Sequence, residues 1–122
     1  MIRSARPLEG RYIAVFSSFF LAGFECATGY NVHKEWIDQV AATQHDKFAD
    51  EDYRRLREVG IRVVREAVRW PLVDRRGDYD FSTIDPFLKA GRSHGIEIIH
   101  DLFHYGYPRM AKRKNVFKKT LI

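Results

Sequence analysis

Paired cysteines, glycine-rich nucleotide loops and long apolar runs are all missing from this sequence. Its single cysteine, Cys26, excludes an internal disulfide framework and offers no thiol cluster for zinc or iron–sulfur binding. Neither GxGxxG nor GxxxxGK[ST] occurs, so the two common nucleotide cradles are unsupported and no cofactor is expected. The stretch YIAVFSSFFLAGF at 12–24 is too short to span a bilayer as a helix. Arg3, Arg6 and Arg11 ahead of it imitate an export signal, but it runs straight into Glu25 with no polar cleavage region. The expectation is a cytoplasmic protein with no membrane partner, and a buried strand at FFLAGFE.

What is present is the composition of one modest domain with a real core. The 122 residues are 45% hydrophobic and include nine Phe, six Tyr and two Trp. The formal net charge of +5 is unevenly placed. Residues 1–108 carry fifteen Lys and Arg against sixteen Asp and Glu, whereas RMAKRKNVFKKTLI at 109–122 carries six cations and no acid. The chain thus divides into an N-terminal extension at 1–17, a body at 18–108 and an atypical basic tail at 109–122. The tail has one aromatic, Phe117, and no recognised nucleic-acid module precedes it, so nucleic acid is not an expected partner.

The body alternates in type. HDKFADEDYRRLREVG at 45–60 places Phe48, Asp52, Leu56 and Val59 on one stripe with Tyr53 beside it, the spacing of an amphipathic helix that Gly60 stops. IRVVREAVRW at 61–70 reads as a strand of about nine residues, in which Arg65 and Glu66 need partners. Gly77 centres a turn, Ser82 is placed to cap a helix, and Ile84, Phe87, Leu88 and Gly91 share its face up to Gly95. IEIIHDLFH at 96–104 is the next strand. Residues 26–43 read as a long irregular connection.

The order strand, helix, strand, helix, strand is that of repeated βα units in a parallel sheet, an α/β fold. Parallel strands gather functional residues at their carboxyl ends. Those ends hold Glu25, Arg69 with Trp70, and His104 with Tyr105. Each also has a structural reading: Glu25 paired with Arg69 or another arginine at the strand ends, Trp70 covering the sheet edge, Asp101 as a hydrogen-bond partner or sheet-end residue. His100 and His104 would stand about 13 Å apart on a strand, so no metal site is expected. A rim of Trp, Tyr, His, Arg and acids suits sugar hydroxyls and the apolar face of a sugar ring.

Three segments in order carry a resemblance: FLAGFE at 20–25, HDKFADEDYRRLREVGIRVVREAVRW at 45–70 and GDYDFSTIDPFLKAGRSHGIEIIHDLFHYGYP at 77–108. Together they resemble the opening third of a beta-glucosidase-like glycoside hydrolase, one of the retaining TIM-barrel glycosidases. The resemblance implies a partial (β/α)8 barrel comprising about the first three strands and two helices, and a carbohydrate substrate in the intact homologue. It implies substrate-binding roles for Glu25, Arg69, Trp70, His104 and Tyr105. Such glucosidases usually carry glutamine where Glu25 stands, which leaves the sugar open.

The family places its acid/base glutamate after strand four and its nucleophile after strand seven. Neither has a counterpart in this sequence, so no catalytic residue is assigned and activity of this chain alone is not expected. A full barrel takes about 250 residues. The abrupt change at Arg109 reads as a truncated or frameshifted continuation of a longer gene. The alternative is a non-catalytic βα protein that self-associates or is completed by another chain, with the basic tail as a binding element.

Overall fold

Apolar runs separated by charged, helix-periodic segments build a small parallel sheet backed by two helices. The computed structural model describes residues 14–108. Most of the expected N-terminal extension and all of the basic tail lie outside the described residues.

In chain order the elements are β1 (Ala22–Gly23), β2 (Thr28–Tyr30), β3 (Trp36–Asp38), α1 (Gln39–Thr43), α2 (His45–Glu58) and β4 (Val63–Ala67). There follow α3 (Trp70–Val73), β5 (Asp74–Arg75), β6 (Asp78–Tyr79), a 3-10 turn (Ser82–Ile84), α4 (Asp85–His94) and β7 (Glu97–Asp101). The fold is mixed α/β, with a three-stranded parallel sheet in the order β1, β4, β7 and four helices. Its register runs from Val63 opposite Glu97 to Ala67 opposite Asp101, and on the other side pairs Ala22 with Val64. Two short antiparallel hairpins, β2–β3 and β5–β6, complete it.

The parallel order agrees with the expected βα repeat, while several boundaries differ. FFLAGFE contributes only Ala22–Gly23 to the sheet, and Phe19, Phe20 and Leu21 are exposed. As an edge strand β1 has one neighbour, β4, so little of the apolar run gains a partner. The stretch at 26–43 is a hairpin and a short helix rather than a long loop. The strand expected to reach residue 70 ends at Ala67, because Arg69 adopts a left-handed conformation (φ 61°) and Pro71 opens α3. Ser82 makes no capping bond; its backbone N–H instead donates to Asp80 Oδ1 at 2.9 Å.

The largest correction concerns α2. Its buried residues are His45, Ala49 and Tyr53, one turn apart, whereas Phe48 and Val59 of the expected stripe are exposed. Hydrogen bonding selects the face. Glu66 of β4 points under the helix at 1% exposure, and only the face with His45 and Tyr53 can supply its donors. The opposite face carries Glu51, Arg54, Arg55 and Glu58 in mutual ion pairs.

Helix α4 follows its sequence pattern closely. Phe87, Ala90 and Gly91 are buried and Gly95 ends it at φ 62°, a conformation that glycine adopts without a Cβ penalty. The core joins Val40, Ala49, Tyr53, Val64, Phe87 and Ile96 between the helices and one face of the sheet. No helix among the described residues is long and apolar enough to cross a membrane.

Candidate functional site at the carboxyl edge of the sheet

The three parallel strands release their chains at one edge, and the segments beyond them converge there. A narrow crevice at this edge is lined by Cys26, Thr28, Arg69, Trp70, His104 and Gly106 among others, packed too tightly to admit a water molecule. Its tightness comes from backbone. A Cβ on Gly106 would fall 1.6 Å from the Thr28 carbonyl oxygen, and one on Gly29 would fall 2.7 Å from Gly106 Cα. The loop after β7 therefore lies directly against β2.

Of the five residues assigned from sequence, Arg69, Trp70 and His104 share this crevice. Arg69 is buried and committed: it ion-pairs with Asp38 of β3 and donates from Nε to Thr28 Oγ1 at 3.4 Å. It thus ties the β2–β3 hairpin to the sheet, and its partner is Asp38 rather than Glu25. Trp70 is half-buried and meets Phe103 edge-on at 6.0 Å. Glu25 lies outside the crevice lining, where its Oε1 accepts from the backbone N–H groups of Cys26 and Ala27 at 3.2 and 3.1 Å. Tyr105, 80% exposed and left-handed at φ 61°, tilts over His104 with ring centroids 4.8 Å apart. Tyr105 thus borders the crevice at His104, and Glu25 stands beside Cys26 of its lining.

His104 makes contacts that sequence reasoning did not foresee. Its Nδ1 lies 3.2 Å from Cys26 Sγ and 3.8 Å from Asp101 Oδ2. Asp101 also faces Arg65, whose Nη1 is 3.9 Å away. Burial pushes the Cys26 thiol up from its ordinary pKa; Arg65 pulls it down, and Asp101, Glu66 and Glu25 push it further up. His100, in contrast, lines an open groove of about 280 Å³ between β7 and α4, away from His104.

Under the sheet sits a second polar group. His45 Nδ1 is 2.6 Å from Asp52 and Nε2 is 2.8 Å from Glu66, to which Tyr53 also donates at 2.8 Å. Both ring nitrogens face carboxylate oxygens, an arrangement that favours the doubly donating imidazolium. Burial opposes that charge, but the bonds to Glu66 and Asp52 outweigh it and raise the His45 pKa. Phe24 stacks on the ring at 3.7 Å and Phe87 at 5.0 Å, which suits a cation. Burial, then the Glu66 charge, pushes the Tyr53 hydroxyl far up, and it remains a donor.

No family model, curated protein or solved structure matches the chain. The signal for the buried group was present in sequence, since Glu66 inside an apolar strand demands a partner; for Cys26 there was none, because its neighbours are supplied by a loop 78 residues away.

Proposed function

We propose that residues 18–108 form the opening portion of a (β/α)8 barrel of a beta-glucosidase-like glycoside hydrolase, and that its carboxyl edge holds carbohydrate. The observation that carries this reading is the convergence of Trp70 and His104, with Tyr105 over His104 and Glu25 beside Cys26, where parallel strands of such barrels present their ligands. The crevice is too narrow to take in a ligand, so a sugar would lie across its mouth. Trp70 and Tyr105 offer ring faces, while Glu25 and His104 offer hydrogen bonds to hydroxyls. Arg69 acts indirectly, by holding β2–β3 in place.

Cleavage with retention needs two carboxyl groups about 5–5.5 Å apart on opposite sides of the bond. The family's two glutamates belong to strands that the described residues do not include. Binding without turnover is the expected behaviour of this chain. Titration of the full chain with glucose and an aryl β-glucoside, read by tryptophan fluorescence and by aglycone release, tests it. Saturable binding that Tyr105→Ala weakens supports the proposal; absence of any saturable response overturns it.

A second reading has its own observation. Phe19, Phe20, Leu102 and Phe103 are exposed beside the two edge strands, as a βα unit completed by self-association or by a complementing chain would leave them. Sedimentation at increasing concentration separates the two: a monomer that binds sugar favours the first, and an assembly that does not favours the second.

A further inference from the structure

Cys26, Asp101 and His104 come from the two strands that flank β4, and they meet above its end. Cys26 follows β1, Asp101 closes β7 and His104 lies three residues beyond. Ala67, the last residue of β4, lines the same crevice and is small enough to let the flanking segments join over it. Sγ, Oδ2 and Nδ1 all lie within 4.8 Å of one another. Donor atoms held about 2.0–2.3 Å from a tetrahedral zinc ion stand about 3.5 Å apart. The observed 3.2 Å from Sγ to Nδ1 and 3.8 Å from Nδ1 to Oδ2 bracket that spacing.

A different use of these residue types is a thiol nucleophile with a histidine base. That arrangement sets the thiol on one ring nitrogen and the orienting carboxylate on the other. Here the thiol and the carboxylate both approach Nδ1, so the three groups converge on a point rather than form a relay. Convergence is what an ion requires.

We propose that Cys26, Asp101 and His104 form a binding site for a divalent transition metal, with zinc the ion that their chemistry favours. Sulfur and imidazole donors disfavour magnesium and calcium, and a mixed S, N, O set with three protein ligands matches zinc with an open fourth position. Cys26 closes the inner side at 1% exposure, while Asp101 and His104 remain partly exposed. Glu25 and Glu66 add negative charge around the thiol; Arg65 opposes it, and its exposed side chain can turn to water. On binding, the Cys26 thiol gives its proton to solvent and its sulfur electron pair to the ion. The proposal departs from the expectation of no metal site, which weighed Cys26 as a lone thiol, Asp101 as a hydrogen-bond partner and His104 together with His100.

The test uses the full, tag-free chain, stripped with chelator and titrated with cobalt(II) chloride, then with zinc chloride. Cys26 is the sole thiol of the chain, so a sulfur-to-cobalt charge-transfer band reports this residue alone. The expected result is a stoichiometric band with tetrahedral visible absorption, displaced by zinc. Cys26→Ser should remove the band, and Asp101→Asn and His104→Gln should each weaken binding by about 10-fold or more. His33→Gln, on the distant β2–β3 turn, should change nothing. Circular dichroism confirms that each variant is folded; if serine is not accepted at the buried Cys26 position, the partly exposed Asp101 and His104 decide. No charge-transfer band, or an affinity that Asp101→Asn and His104→Gln leave unchanged, overturns the proposal.

Discussion

The two sides of the sheet's carboxyl end solve the same problem differently. Beneath it, between α2 and β4, His45, Asp52, Tyr53 and Glu66 are ion-paired and hydrogen-bonded to one another at 2.6–2.8 Å. Above it, Cys26 is hydrogen-bonded to His104 at 3.2 Å, and Asp101 pairs with His104 and Arg65 at the longer distances of 3.8 and 3.9 Å. Glu66 Oε1 accepts from both His45 and Tyr53 and so fixes one packing of helix on strand, while its Oε2 is buried without a hydrogen-bond partner. The longer, partly exposed ion pairs above are more easily exchanged for another ligand than the short buried bonds below.

The contrast breaks most visibly at Glu66. Glu66→Leu removes one of the two carboxylates holding the His45 imidazolium and the acceptor of Tyr53, and should cost about 3–5 kcal/mol in urea unfolding. Gly106→Ala strikes the upper side: displacing the loop from Thr28 should cost about 1–3 kcal/mol. It should change tryptophan fluorescence near Trp70 while leaving the helical circular dichroism of α2 and α4 intact. Tyr53→Phe keeps the ring and deletes one bond, for about 1 kcal/mol.

Titration sharpens the comparison without mutation. Because the folded pKa of His45 is raised above its ordinary 6.5, its stabilising charge is fully present below that value and is lost as pH rises through the higher folded pKa. The melting temperature should fall over that interval, and His45→Gln should flatten the fall. Tyr105→Ala, at an exposed rim, should change stability by no more than about 0.5 kcal/mol. Its effect belongs to the sugar titration.

How much could be read from the chain depended on how local the deciding interaction was. Helix α4 was legible because Ile84, Phe87, Leu88 and Gly91 repeat along one face and Gly95 stops them within the same segment. The buried face of α2 was not, since Phe48 and Val59 are more apolar than His45 and only Glu66, in the next strand, favours His45. Short elements escaped for another reason: β2 and β3 have three residues each, too few to display an alternation. Of the residues expected at the strand ends, Arg69, Trp70 and His104 line one crevice. The partnership of Asp38 with Arg69, and of Cys26 with His104, depends on which loops cross the edge, and periodicity carries no information about that.

The near contact of Gly29 and Gly106 also has a temporal side. It joins the beginning of the described segment to its end, so the intervening chain must already be compact before the closure entropy is met. Helices α2 and α4 and the pairing of β4 with β7 involve shorter separations and are expected to form first. The upper crevice, with Cys26 beside His104, is expected to form after these elements, since it needs the larger sequence separation. Pulse-labelled hydrogen exchange should show amides of α2 protected before those of Thr28 and Gly106.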